Sequence, residues 1–432
     1  MLRNRKGLSS FLLYSRIKLI REIAWGLNKP KGEPFTPSEK ATRVLVGGDV
    51  CFDSEVRTVP YVGAYGSIGT TIAQSILIRF WYKLWKLFCK LALSPRYFST
   101  FIYQPFQELL VKTSQNEKKK LITDACKTRE HFSIQYPSEA ARFSYPFEKI
   151  KPLFQSRDLV LVNLETPLTD NPRVQGWFAS DPGYAQAMKD AGISMVSLSN
   201  NHIFDAGERG FFDTIQNLEK AGILWTGAGN NLMKARAGSL VKVNDVEVNI
   251  LSYTQYCNSL YASVAGDHAG ILPLDLEVML QDVGQAKEFA DLVFVSLHWG
   301  FEDQPCVHPR QIEIAHQLID RGADCIIGHH PHVPHGIEVY RDKPILYSLG
   351  NFIFGHGKHP WADNYLADII IEQKTITGLV IHPIAGAGQE LFQPEPLRGA
   401  RAEALLHDLQ MRSAIFKTGI AISHDVGHVK IA

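Results

Sequence analysis

Short apolar runs that end in polar residues recur along this chain. VLVGGDV (44–50), LVLVNLE (159–165), ISMVSLSN (193–200), LVFVSLHW (292–299), DCIIGHH (324–330) and ILYSLGN (345–351) are too short for helices and read as buried strands. Between them the apolar spacing becomes helical. Gly207 to Ala221 and Pro309 to Arg321 are predicted helices, the second with Ile312, Ala315, Leu318 and Ile319 on one face before a stop at Gly322. Strand, helix, strand in this order predicts an α/β fold. Residues 239–253 hold two strand patterns about an Asn244-Asp245 turn and residues 366–382 resemble another pair, so antiparallel or mixed pairing is expected as well.

One stretch departs from the alternation. In residues 72–93, IAQSILIRFWYKLWKLFCKLAL, the cations Arg79, Lys83, Lys86 and Lys90 share one helical stripe amid aromatic and aliphatic residues. Such a helix caps its own domain with its lysines in solvent, lies in a membrane interface with Trp81 and Trp85 at the boundary, or fills the groove of a partner. Residues 63–71 lead into it, with Thr70 or Thr71 as N-cap, and the block from about 55 to 145 reads as an insertion. The basic N-terminus has an apolar run only from Phe11 to Tyr14 before Arg16 and Lys18, against the roughly 7–15 apolar residues of an export signal. No window reaches the ~20 apolar residues of a spanning helix. The expected organisation is a basic N-terminal extension at 1–40, a domain at 41–385 carrying the insertion, and a C-terminal extension at 386–432 with a terminal helix. The expected location is cytoplasmic, with peripheral membrane contact through residues 72–93 left open.

Composition narrows the class. Of 432 residues, 45 are Lys or Arg and 44 Asp or Glu, so no global field draws in nucleic acid, and none is expected as a partner. The six cysteines are scattered with no CxxC, which argues against a structural zinc knuckle or a disulfide framework and fits a reducing compartment.

The chemistry gathers at the strand ends. Ligands of α/β sheets bind outside the carboxyl ends of the strands, and those ends carry Asp49, Asn163, Glu165, Asn200 to His202, His298, and His329 to His332. Turn chemistry would favour Gly, Pro, Ser and Asp at such places and does not explain this set. Imidazoles with carboxylates and an amide, without thiolates, suit Mn, Fe, Zn or Ni. Two such ions about 3.5–4 Å apart activate a bridging water and clamp the oxygens of an in-line displacement at phosphorus.

The motifs GGDVCFD (47–53), NLETPLTD (163–170), SLSNNHIFDAGERG (197–210), SLHWGFE (296–302), GHHPHVPHGIE (328–338) and YSLGNFIF (347–354) occur in an order that resembles the CapA-type capsule synthesis proteins, linked to poly-γ-glutamate. That family looks like a branch of the calcineurin-like metallophosphoesterases, and the resemblance spans about residues 43 to 357 without the insertion. It implies a four-layer αββα sandwich with a two-metal site between the sheets. By position it implies Asp49 as the first-motif ligand, Glu165 or else Asn163 as the bridging group, and Asn201, His298, His330 and His332 as further ligands. His202 becomes the proton donor. Two departures stand out: Cys51 occupies the histidine place of the usual Asp-x-His motif, and Leu164-Glu165 replaces Gly-Asp, so one or two divalent metals (Mn, Fe or Zn) are expected. Asn163, Glu302 and Asn351 are candidates for substrate contact or for holding ligands. On an extended segment His330 and His332 share a face and His329 points away. His308, His316, His356 and His359 read as ordinary, and Arg209 and Arg310 as helix-surface charges.

The function these readings imply is a metal-dependent hydrolase acting through a metal-activated water in capsule biosynthesis, on poly-γ-glutamate or a related anionic surface polymer. Two alternatives stand beside it: a non-catalytic assembly or export component of a capsule synthesis complex, and a metallophosphatase for an unrelated phosphoester.

Overall fold

The computed structural model describes residues 34–52, 134, 136–171, 178–257, 268–355 and 362–431. The expected helix at 72–93, most of the expected insertion and N-terminal extension, and His356 and His359 lie outside the described residues. No helix among the described residues is long and apolar enough to cross a membrane.

The strands are β1 (Thr42–Cys51), β2 (Leu159–Leu164), β3 (Met195–Ser197), β4 (Leu224–Thr226), β5 (Ala228–Gly229), β6 (Ser239–Val243), β7 (Val246–Thr254), β8 (Gly270–Ile271), β9 (Leu292–His298), β10 (Cys325–His329), β11 (Ile337–Tyr340), β12 (Lys343–Leu346), β13 (Asn351–Phe354), β14 (Asn364–Glu372), β15 (Thr375–Ile384), β16 (Ala421–Ser423) and β17 (Val426–Lys430). The α-helices of the described residues are α1 (Glu139–Ser144), α2 (Lys151–Phe154), α3 (Gly183–Ala191), α4 (Gly207–Ala221), α5 (Leu232–Arg236), α6 (Leu276–Ala286), α7 (Pro309–Arg321) and α8 (Gly399–Ser413).

Two mixed sheets organise them. The first runs β16-β17-β15-β14-β1-β2-β3-β4, with β1 to β4 parallel and β13 also paired to β1. The second runs β11-β12-β10-β9-β7-β6, parallel in the middle and antiparallel at both edges. Val44, Val46, Leu159 and Leu161 of the first sheet share one buried cluster with Val248, Ile250, Phe294 and Ile327 of the second. The opposite face of the first sheet packs on helix residues such as Met188 and Phe211, and that of the second on Met279, Val283, Ala315 and Leu318. Strands buried on both faces need continuous apolar runs, which is why the runs in the sequence hardly alternate.

Local chemistry sets the boundaries. Helix α7 begins with a capping box, in which the His308 ring accepts from Arg310 N and Gln311 Oε1 accepts from His308 N, and it ends at Gly322 with φ +127°. The expected hairpins are present: β6 and β7 turn at Asn244, φ 56°, and β14 and β15 turn at Gln373 and Lys374, both at positive φ. Two expected strands differ. The run 193–200 shrinks to β3, because Asn200 spends its side chain on the loop, accepting from His202 N and Ile203 N. The run 345–351 splits: β12 belongs to the second sheet, the chain turns at Gly350 with φ +76°, and β13 joins the first. At the C-terminal end, α8 puts Leu406 and Leu409 into the core between the sheets, and β16 and β17 extend the first sheet beyond β15.

Candidate metal centre

The carboxyl ends of β1, β2 and β3 from one sheet meet those of β9 and β10 from the other, and the polar strand ends converge there. In β1 the register slips around Asp49, a bulge that re-aims its side chain. Gly48 makes this possible, since a Cβ there would stand 2.0 Å from Gly350 O while Asp49 N donates to that same oxygen at 3.1 Å. Register then sets Asp49 beside Asn163 on β2 and Asn351 on β13, and His329 beside His298 across β10 and β9.

Glu165 is the centre of the cluster. It is 0% exposed, and neither carboxylate oxygen has a hydrogen-bond partner among the described residues. One ligand atom each from Asp49, Glu165 and His298 lie within 4.8 Å of one another, and so do one each from Glu165, His330 and His332. Asn201 joins the first group: His298 Nε2 stands 2.7 Å from Asn201 Oδ1, 3.1 Å from His330 Nδ1 and 3.4 Å from Glu165 Oε1. His332 Nδ1 stands 3.3 Å from Asp49 Oδ2, and its Nε2 is 3.9 Å from Glu165 Oε1.

The electrostatics match a cation site. Burial, reinforced by the charges of Asp49, Glu302 and Asp205, pushes Glu165 well above the usual carboxylate range. A buried carboxylate with no donor must take up a proton or a cation. Burial also raises Asp49, but the imidazoles of His329 and His332 and the Asn163 amide outweigh it and hold that carboxyl below its ordinary value. Burial and neighbouring imidazoles push His298 well down, and His330 down to about 3, so both are neutral with a lone pair to give. The residues present therefore fit a divalent ion.

Other side chains hold these in place. Asn163 Nδ2 donates to Asp49 Oδ1 at 2.8 Å and reaches His298 Nδ1 at 3.3 Å, while its own oxygen accepts from Asn200 Nδ2. Asn351 Oδ1 meets His332 Nδ1 at 2.8 Å. Both asparagines thus orient the groups around the centre. Glu302 is half-buried and outside both ligand groups. His202 Nδ1 donates to Asp205 Oδ2 at 2.7 Å, which leaves Nε2 4.0 Å from Glu165 Oε1, and the Phe178 ring lies 4.3 Å from the His202 ring. The Tyr256 ring lies 4.4 Å from that of His330 and its hydroxyl donates to Gly300 O.

Sequence reading missed Asp205 and Tyr256. The signal for Asp205 was its place three residues after His202; Tyr256 had none. It also misplaced His329, whose Nδ1 lies 3.4 Å from Asp49 Oδ1. The segment is not extended: His330 has φ +94° and His332 φ +58°, so consecutive histidines turn to one cluster. Cys51 packs in a small apolar cluster with Phe178, Phe354 and Leu391. His308 caps α7, His316 pairs with Glu338, and Arg209 and Arg310 are exposed beside Asp213 and Glu313.

Comparison with known proteins agrees with the motifs. The family model described as bacterial capsule synthesis protein PGA_cap matches residues 106–356, a span that holds every candidate ligand except Asp49. The chain is similar to the PGA biosynthesis protein CapA of Bacillus subtilis (strain 168), 32% identical over 244 residues covering 55% of this chain and 64% of that one. It is also similar to the capsule biosynthesis protein CapA of Bacillus anthracis, 35% identical over 272 residues covering 59% and 64%. The chain thus spans less than two thirds of the length of these relatives. Among solved structures, the NAD nucleotidase of Haemophilus influenzae aligns at a TM-score of 0.35 and 16% identity over 62% of this chain and 50% of that one, too slight a likeness to carry an argument. With more than half its length matched by the family model, the chain belongs to the bacterial capsule synthesis protein PGA_cap family.

Proposed function

We propose that the chain is a metal-dependent phosphoesterase-type hydrolase working in the biosynthesis of poly-γ-glutamate or a related anionic surface polymer, on a four-layer αββα scaffold. The observation that carries the chemistry is the pair of ligand groups sharing the buried carboxylate of Glu165, which has no hydrogen-bond partner among the described residues. The core between the sheets and the helices on each outer face support the scaffold. The polymer is taken from the relatives' names.

On this reading Asp49, Glu165, Asn201, His298, His330 and His332 would hold one or two divalent ions, Mn, Fe or Zn, and Glu165 belongs to both ligand groups. The ion supplies Lewis-acid polarisation of an ester oxygen and activation of water near neutral pH. His202, fixed through Nδ1 by Asp205, keeps Nε2 for the proton that the leaving oxygen needs. Asn163 and Asn351 keep the ligand groups from turning away. The Phe178 and Tyr256 rings pack against those of His202 and His330. A second reading, an assembly component that holds metal without turnover, draws on Cys51, which packs among apolar side chains next to the centre where the usual first motif has an imidazole.

Assaying a generic phosphodiester with added Mn separates the two, using the full chain and His330→Ala. Mn-dependent turnover that falls at least about 10²-fold in His330→Ala supports the hydrolase. Absence of turnover in a metal-loaded wild type supports the assembly role.

A further inference from the structure

We propose that Tyr256 is a positioning residue of this centre, its ring holding the His330 imidazole at the angle from which it reaches an ion. The proposal rests on the metal reading above and adds to it a side chain from the loop after β7, an element that supplies none of the ligands.

His330 needs support from outside its own segment. Its backbone has φ +94°, a conformation that a residue with a Cβ keeps only where the surroundings impose it. Its N–H donates to Asp49 Oδ2 at 3.2 Å, and its Nδ1 lies 3.1 Å from His298 Nε2. A small rotation of the ring would therefore move its donor atom out of the group it forms with Glu165 and His332. The Tyr256 ring packs on the imidazole with centroids 4.4 Å and planes 34° apart, and that contact blocks rotation toward the tyrosine.

Tyr256 can act as a fixed stop because its loop is tied down on both sides of Trp299. Gln255 N donates to His298 O at 2.8 Å, and Gln255 Oε1 accepts from Gly300 N at 3.0 Å. The Tyr256 hydroxyl donates to Gly300 O and accepts from Gln255 Nε2 at 3.3 Å. Trp299 N in turn donates to His329 O at 3.1 Å, which joins the end of β9 to the residue before His330. Through this strap Tyr256 sets the place of His330 relative to His298, two ligands carried by different strands. The side chains that hold a ligand's orientation govern metal affinity without touching the ion.

Tyr256→Leu removes the aromatic face, and Tyr256→Phe keeps it while releasing the hydroxyl from Gly300. Zn and Co(II) are titrated into the metal-stripped full chain, wild type and both variants, and the visible spectrum of the Co(II) form is recorded. Tyr256→Leu is expected to bind an ion at least about tenfold more weakly with an altered Co(II) spectrum, and Tyr256→Phe to show a smaller change in the same direction. A merely structural role would lower resistance to urea and leave the Co(II) spectrum as in the wild type, and that result overturns the proposal. So do unchanged affinity and an unchanged spectrum in Tyr256→Leu. Should Tyr256→Leu not fold, Tyr256→Phe decides, and a wild-type affinity and spectrum in it overturn the proposal. A wild type that takes up no metal refutes the centre itself, whereas a wild type that loads normally beside an indifferent Tyr256 refutes only this proposal.

Discussion

At the scale of single residues, the arrangement separates groups that hold charge from groups that hold those groups. Among the described residues Glu165 has no donor, and His202 Nδ1 donates to Asp205. A carboxylate on Nδ1 fixes the ring's orientation with the Nδ1 proton on Asp205 and stabilises an imidazolium, so Nε2 faces the centre and can take up and deliver the proton that a general acid supplies. Asp205→Asn keeps the shape but can donate to Nδ1 and trap the wrong tautomer. The expected outcome is a loss of about 10²-fold or more in kcat with metal content unchanged, read by steady-state kinetics beside elemental analysis. A variant with wild-type kcat would remove His202 from proton transfer. The aspartate was visible in SLSNNHIFDAG as a residue three after a histidine, yet one turn of loop is shared by countless structural pairs, and only the 2.7 Å contact distinguishes it.

At the scale of elements, the segment from His329 to His335 joins β10 to β11 and takes its shape from α8. Arg412 of that helix donates to Pro334 O at 2.6 Å, and Ser413 Oγ accepts from Ile337 N. In the same loop His335 is buried with Nε2 donating to Gln304 O, and burial pushes its pKa from 6.5 down to about 4. The unfolded chain binds a proton at His335 below about pH 6.5 and the folded chain does not until about pH 4. The stability associated with the neutral ring is thus present above pH 6.5 and lost as pH falls through that window, by up to about 3 kcal/mol. Urea denaturation of the full chain from pH 7 to pH 4 should show this acid limb, shallower in His335→Gln; identical limbs in both chains would refute the assignment. Strand runs and the helices α4 and α7 were legible in the sequence because burial on both faces of the sheets, helical apolar spacing and the Gly322 stop leave plain patterns. The positive φ of His330 and His332 was not, because neither residue type announces a left-handed backbone.

At the scale of the molecule, the centre exists only because two sheets bring their strand ends together. Asp49, Asn163 and Glu165 come from the first, His298 and His329 from the second, and Asn351 from a strand whose run begins in one sheet and ends in the other. The list of ligand types could be read from the sequence, since five of the six apolar runs end in them; their pairing across sheets, and the approach of Gly48 to Gly350, depends on register that no single run encodes. The C-terminal extension at 386–432 read as a terminal helix and a tail without chemistry, yet it supplies core side chains and two strands that extend the first sheet.

The proposed function turns on Glu165, the carboxylate common to both candidate ligand groups. Elemental analysis of the metal-loaded full chain beside Glu165→Gln tests it most directly, because the amide keeps the volume and removes the charge. The account predicts one to two divalent ions per wild-type chain, near zero in the variant, and a variant that is still folded because the metal-free carboxyl already favours its neutral form. Equal metal in both chains, or none in either, would contradict it.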